Sequence, residues 1–346
     1  MILSLQYLRG IAALMVVYFH CGAQVARFDL APLPLHAAGE FGVDVFFVIS
    51  GVVMWVTTFY GSTSPATFLL RRLARIAPLY WIITLMVALI AFAAPLVMRS
   101  TVFDLPHLVA SLLFIPWPNP VGGALTPMLI PGWTLNYEMF FYVLFAVAMF
   151  APKRWRAVVL CAALVAIVAA GAFAPPETRL KFYADPMLLE FGAGVFIGAL
   201  YTGRRTSAPG AALGVAAGGV ALAFVAWLSP AQMAPAARAL YAGLPAALVV
   251  GGLVLAEKAR GAPRLSALLA LGDASYSIYL THALTLAALS VAWRRLDGVA
   301  PSAPAYYAVG IGASIFVGWM TFIAIERPIN HRLQARRKTR GLAPAK

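Results

Sequence analysis

The chain has 346 residues, of which 62% are hydrophobic and only 11% charged, and its mean hydropathy is +0.85. Soluble domains carry about 25% charged residues, so this composition leaves too little polar surface to cover a globule and points to a bilayer. The net charge of +14 would suit nucleic acid, but Lys and Arg fall in short runs between apolar windows and form no continuous basic face, which argues for a membrane protein and no nucleic-acid partner. Cys21 and Cys161 both lie inside apolar windows, which supports neither a disulfide framework nor a metal site. The first apolar segment follows no strongly basic leader and lacks a small-residue cleavage site, so it is expected to be retained.

Ten windows are long enough, or nearly so, to cross about 30 Å of hydrocarbon as helix. They run 3–25, 39–60, 77–98, 133–151, 157–174, 186–202, 211–228, 239–256, 274–293 and 305–325. All are continuously apolar rather than alternating, which argues against strands. The expected fold is all-α, a polytopic transmembrane bundle of about ten helices. Residues 1–330 would form the membrane domain and 331–346 a basic, frayed cytoplasmic tail suited to anionic lipid.

Charge orients the bundle. With a cytoplasmic N-terminus, 18 of the 26 Lys and Arg residues fall in cytoplasmic segments and seven on the opposite side, Arg9 lying within the first window. Both termini are therefore expected in the cytoplasm. Leu105–Trp117 is apolar but short and bracketed by prolines, so it reads as a non-spanning piece of a long external loop, 99–132. Eight prolines and glycines between Pro116 and Gly132 suggest order by turns, and such a loop suits a lid or a plain connector. The Gly- and Ala-rich stretch 209–223 fits close helix packing. Ser50-Gly51 reads the same way, and Glu326-Arg327-Pro328 reads as a helix stop.

Ionisable groups at membrane depth are costly and need a reason. Arg9 and His20 are separated by three helical turns plus about 20°, and by a rise of about 16 Å, so they share one face. A neutral imidazole in low dielectric is a competent general base; His20 also fits a core histidine bonded to a carbonyl. Glu40 and Asp44 share a face near the external end, where either could orient His20 or bind sugar hydroxyls, or Glu40 could simply be interfacial. Arg72 and Arg75 can face one anionic group, such as the phosphates of a CoA thioester, or they can be a positive-inside anchor. Glu138, one turn into the fourth window, must be protonated, paired or facing water, and its depth would allow it to meet His20. Glu190 is a similar case, equally suited to pairing with an arginine. Tyr276, Tyr279 and His282 form a stripe that could hold a pantetheine arm, stabilise a thioester oxyanion, or serve only as a structural polar seam.

Five stretches together resemble acyltransferase family 3, the multi-pass membrane O-acyltransferases of bacterial glycans. They are Leu8-Arg9-Gly10-Ile11-Ala12-Ala13 running to His20, Gly42 to Gly51, Arg72 with Arg75, Trp133-Thr134-Leu135 with Glu138, and Ser275 to Leu280 with His282. Each is weak alone, but their order across 8–328 is specific, and the variant is similar to exopolysaccharide-type members that acetylate succinoglycan. The resemblance implies a bacterial inner-membrane enzyme with no bound cofactor, using acyl-CoA, in particular acetyl-CoA, as donor. It implies that His20 is essential as base or acyl carrier, and that Arg72 and Arg75 belong to the acyl-CoA site. Some members carry an additional C-terminal esterase-like domain; this sequence ends just after its last apolar window, so transfer is expected at the membrane domain itself.

These readings combine into one expectation. Acyl-CoA docks on Arg72 and Arg75, aided by Arg9, with Tyr276, Tyr279 and His282 along the thioester's path. His20 deprotonates a hydroxyl of an exported or lipid-linked saccharide, and Glu138 or Asp44 orients the imidazole or the sugar. A glycan or lipid transporter, or flippase, is the alternative, although paired broken helices in matching halves are not evident.

Overall fold

A computed structural model describes residues 2–61, 63–95, 101–203, 208–228, 235–295 and 302–339. Arg99, Arg204, Arg205 and the tail from Arg340 onward lie outside them. Fourteen α-helices occur among the described residues: α1 Leu3–Val25, α2 Gly42–Phe59, α3 Pro65–Ala93, α4 Leu105–Leu112, α5 Trp133–Ala148, α6 Lys153–Gly171, α7 Arg179–Tyr183, α8 Leu188–Thr202, α9 Pro209–Leu228, α10 Pro235–Arg238, α11 Leu244–Arg260, α12 Ser266–Trp293, α13 Ala303–Thr321 and α14 Arg327–Thr339. No strand is present among them, only an isolated bridge between Pro118 and Leu125.

Each of the ten apolar windows is occupied by a helix. Among the described residues, seven helical segments are both long and apolar enough to cross a membrane: Leu3–Phe28, His36–Phe59, Pro65–Ala93, Lys153–Gly171, Arg179–Thr202, Ala239–Arg260 and Ala303–Leu333. The other three windows correspond to α5, which has only 16 residues, to α9, and to α12, whose Ser, Thr, Tyr and His dilute its apolar character. Large apolar side chains face outward along several helices, among them Leu85, Leu89 and Phe92 on α3, Val158 and Val165 on α6, and Phe316 on α13. Continuous exposed apolar surface of this kind is expected in lipid.

The chain forms two compact units. The first comprises Met1–Val56 and Glu190–Ala324. Here α1 serves two cores. Leu5 and Leu8 near its start pack with Val48, Val52, Ile197, Val250 and Val254 of α2, α8 and α11. Ala13, Val17, Cys21 and Val25 further along pack with Ala274, Ile278, Leu286, Tyr306 and Tyr307 of α12 and α13. Glycines set the closest approaches. A Cβ on Gly272 would lie 2.2 Å from the Gln6 carbonyl, and one on Gly194 would lie 2.0 Å from that of Val48. Gly51 does the same work against the Phe191 backbone, and within 209–223 Gly219 does so against Pro245 and Leu248 of α11, whereas a Cβ on Gly210, Gly214 or Gly218 would meet nothing within 4 Å. Glu257 of α11 closes the start of α1, accepting from Leu3 N and Ser4 N at 2.7 Å and from Ser4 Oγ at 2.6 Å. A carboxylate there satisfies orphan N–H groups and complements the helix dipole.

The second unit comprises Thr57–Leu189 and Ile325–Lys346. Its centre is aromatic: Phe68 of α3 packs against Tyr142 and Phe145 of α5, and Tyr80 stacks on Phe114 at 4.9 Å. α4 has eight residues, about 12 Å of helix, too short to span. The chain that follows is ordered by turns, as its prolines and glycines suggest. It is tied to α4 by His107 Nε2 to the Thr126 carbonyl, and α4 is tied to α3 by Tyr80 Oη to the Ser111 carbonyl and Trp81 Nε1 to that of Leu112.

Two expectations need correction. The third window was read from residue 77, whereas α3 starts at Pro65, capped by the Ser64 hydroxyl accepting from Thr67 N. A serine N-cap followed by proline at the first position is a strong start signal, so Arg71, Arg72 and Arg75 stand on the helix rather than in a loop before it. Glu326-Arg327-Pro328 does not end a helix either. α13 passes through a π-turn, Phe322–Glu326, into α14. The wider register of that π-turn, directly before Pro328, accommodates the missing N–H and the proline ring, which would clash with an uninterrupted α-helix. The segment expected to fray is thus helical as far as Thr339.

Candidate functional site

α1 is unbroken from Leu3 to Val25, so Arg9 and His20 keep the shared face that their spacing gives them. Arg9 Nη1 donates to Gln6 Oε1 at 3.1 Å, and Gln6 Nε2 donates to Asp273 Oδ1 on α12 at 2.5 Å. Arg9 is therefore linked to the beginning of α12.

His20 Nδ1 lies 2.9 Å from the Val16 carbonyl, one turn earlier. A carbonyl only accepts, so Nδ1 carries the proton and Nε2 keeps its lone pair. The carbonyl-bonded histidine and the reacting imidazole, alternatives in the sequence, are thus compatible in one side chain. His282 of α12 repeats the arrangement: it is fully buried, with Nδ1 2.5 Å from the Tyr279 carbonyl. The His20 and His282 rings meet edge to face, with centroids 4.8 Å apart. Tyr279 follows one turn away, its ring 5.7 Å from His282 and 5.8 Å from Phe46. Tyr276 is half-buried in the turn before it. The stripe is continuous, and it brings His282 to His20, a contact that spacing along one helix cannot reveal.

The carboxylates organise around a residue that sequence reasoning counted only as one external charge. Arg238, at the end of α10, donates from Nη1 to Glu40 Oε1 at 2.6 Å and from Nη2 to Asp44 Oδ2 at 2.9 Å. Asp44 is wholly buried, whereas the Glu40 side chain is 45% exposed. Burial by itself opposes the charge on Arg238, but Asp44 and Glu40 more than offset it and hold the guanidinium above its ordinary range. Glu190, also buried, interacts with Asp44 and packs against Gly243. Gly243 closes a π-turn, Ala239–Gly243, directly after Arg238, a feature frequent at functional sites. The signal for Arg238 was present in the sequence: three carboxylates near window ends need a cation, because a buried charge persists only when paired. Glu40 also contributes to the electrostatic surroundings of His20.

The second unit has its own polar group. Arg72 donates from Nη2 to Thr57 Oγ1 at 3.0 Å and lies over the Phe68 ring. Arg75, Glu138 and Tyr142 all contribute to its electrostatic surroundings. Glu138 accepts a short hydrogen bond from Tyr142 Oη, one turn on. Glu138 therefore shares a neighbourhood with Arg72, which sequence reasoning had not linked to it.

No solved structure matches this chain. Residues 2–323 match the model of a family described as acyltransferase domain. The exopolysaccharide production protein ExoZ of Rhizobium meliloti (strain 1021) is 38% identical over 88% of this chain and 94% of its own length. The acyltransferase MdmB of Streptomyces mycarofaciens is 28% identical over 99% of this chain and 94% of its own. With its apolar helices and a match running across both units, the chain is a multi-pass membrane acyltransferase and belongs to this acyltransferase family.

Proposed function

We propose that the protein moves an acetyl group from cytoplasmic acetyl-CoA to a hydroxyl of an exported or lipid-linked polysaccharide at the bacterial inner membrane. The observation that carries this reading is the state of His20: a half-buried imidazole with Nδ1 held by the Val16 carbonyl and the Nε2 lone pair left for a substrate proton. The printed name of ExoZ, an exopolysaccharide production protein, supports a polysaccharide acceptor.

In this reading His20 Nε2 takes the proton of the acceptor hydroxyl while the hydroxyl oxygen attacks the acyl carbon. Arg72 and Arg75 bind the phosphates of the donor as bidentate cations. Tyr276 and Tyr279 line the way of the pantetheine arm, and Arg9, tethered through Gln6 to α12, supplies a further positive charge. Glu40 and Asp44 hold Arg238, and Glu40 orients the acceptor or the imidazole. Ten spanning helices with both termini in the cytoplasm fit the distribution of Lys and Arg.

The test uses purified protein in liposomes, with radiolabelled acetyl-CoA and a soluble saccharide acceptor. Ester product and free thiol forming in equal amounts, only with both substrates, support the reading. Movement of saccharide across the bilayer without thioester consumption would replace it with a transport function.

A further inference from the structure

Gln6 stands between two charges of opposite sign. Its Oε1 accepts from Arg9 Nη1 at 3.1 Å, and its Nε2 donates to Asp273 Oδ1 at 2.5 Å. A guanidinium only donates and a carboxylate only accepts, so the amide can take one orientation alone. The frame around it is tight. A Cβ on Gly272, next to Asp273, would lie 2.2 Å from the Gln6 carbonyl, and one on Gly10, next to Arg9, would lie 3.0 Å from Gly272 N. The amide thus bridges α1 and α12 at a crossing where their backbones have no room to come closer. Asp273 is exposed, and Gln6 and Arg9 are half-buried, so solvent reaches the three groups at the end of α1 expected in the cytoplasm. A direct ion pair between Arg9 and Asp273 could join the helices as well, but it would neutralise the guanidinium. Relayed through a neutral amide, the carboxylate orients Arg9 from a side chain's length away.

We propose that Gln6 is a positioning residue for the donor: anchored on Asp273, it holds the Arg9 guanidinium in place and keeps that carboxylate from neutralising it, so that Arg9 meets the phosphates of the thioester donor as a full cation. This rests on the reading of Arg9 as a donor-side charge. Glutamine suits the task because it is uncharged and carries an acceptor for Arg9 beside a donor for Asp273. A glutamate in its place would accept from Arg9 but offer Asp273 nothing, and would itself cancel the positive charge. Ordering the guanidinium before the donor arrives removes part of the entropy that binding otherwise costs. Arg9 lies about 16 Å along α1 from His20, so its contact with a phosphate is the same before and during acyl transfer. Loss of such uniform binding raises KM and leaves kcat alone.

Side-chain chemistry separates the tether from the charge. In the liposome assay Gln6→Met, which keeps the length and loses both hydrogen bonds, is expected to raise the KM for acetyl-CoA about threefold to tenfold, with kcat unchanged. The KM for acetylpantetheine, the same thioester arm without phosphates, should not move. Gln6→Glu keeps the acceptor for Arg9 but sets a carboxylate against it, so the rise should be at least about tenfold. The double variant Gln6→Glu with Asp273→Asn restores the bond between the helices with donor and acceptor exchanged. It should keep the raised KM, because Arg9 still faces a carboxylate. Parental KM for acetyl-CoA in Gln6→Met, an equal rise for acetylpantetheine, or a return to the parental KM in the double variant overturns the proposal. Arg9→Met run alongside separates the two ideas. A parental KM for acetyl-CoA there overturns Arg9 as a donor-binding charge and Gln6 with it, whereas a raised KM beside an unaffected Gln6→Met overturns Gln6 alone. Should Gln6→Met fail to insert, the exposed Asp273 decides from the other helix. Asp273→Ala should raise the KM for acetyl-CoA more than Asp273→Asn, which keeps an acceptor oxygen for Gln6, and equal values in these two variants overturn the proposal.

Discussion

Replacing Arg238 by alanine strips the cation from two carboxylates whose surroundings differ sharply. Glu40 is 45% exposed and can return to water; such rim pairs are worth about 0.2–1 kcal/mol. Asp44 is fully buried at 2.9 Å from Nη2. Breaking a buried pair from one side costs about 3–5 kcal/mol, because the remaining charge has no solvent to receive it. Asp44→Asn leaves Arg238 its bond to Glu40 and should cost less, about 1–3 kcal/mol. The double variant Arg238→Met with Asp44→Leu removes both charges and should recover most of the loss, because apolar replacements of buried pairs are near neutral. Reversible unfolding of the detergent-solubilised protein, followed by tryptophan fluorescence across a denaturant series, measures all three. With Arg238→Met and Asp44→Leu also measured singly, the double-mutant cycle should give a coupling of about 1.5 kcal/mol or more. Additive effects, or an Arg238→Ala variant as stable as the parent, would refute the assignment of Arg238 as the counterion of Asp44.

Other outcomes follow from the same geometry. Arg72→Ala should raise the KM for acetyl-CoA at least tenfold with kcat little changed, and should leave unaltered the KM for a short thioester without phosphates, since only uniform donor binding is lost. Glu257→Ala removes the three bonds that close the start of α1 and should cost about 1–2 kcal/mol, read as a lower thermal midpoint. Gly194→Val would force a Cβ to within 2.0 Å of the Val48 carbonyl; backbone cannot yield as a side chain can, so folded, monodisperse protein should be lost on size-exclusion chromatography.

The helices were legible because apolar runs of spanning length report directly on burial in lipid, and each window contains one. Boundaries that depend on chain chemistry rather than hydropathy were harder to see. α3 begins at Ser64-Pro65, twelve residues before its apolar stretch, because the arginines along its first turns mask the helix from a hydropathy reading. The π-turn at Phe322–Glu326 carries the chain past Pro328, and a proline that follows a π-turn is indistinguishable by type from one that ends a helix. Within the site, groups on one helix, or four residues apart along the chain, could be placed: Arg9 with His20, Tyr279 with His282, and Glu40, in a 3-10 turn, with Asp44 in the first turn of α2. Partners on different helices could not, since periodicity fixes a face but not what meets it. His20 against His282, Arg238 between Glu40 and Asp44, and Glu138 beside Arg72 all emerged from tertiary packing. A count of buried carboxylates against available cations would have pointed to Arg238, and no comparable rule pointed to the histidine pair.

The central claim is that His20 removes the acceptor's proton. Its most direct test compares His20→Ala with the parent protein, both purified, shown to be monodisperse in detergent and reconstituted at equal density. Acetyl ester on the saccharide is then measured by mass spectrometry after incubation with acetyl-CoA. Ester formation is expected to fall at least a hundredfold, the lower reach of general-base catalysis, while the variant remains folded. Ester formation at the parental rate by a folded His20→Ala protein would contradict it.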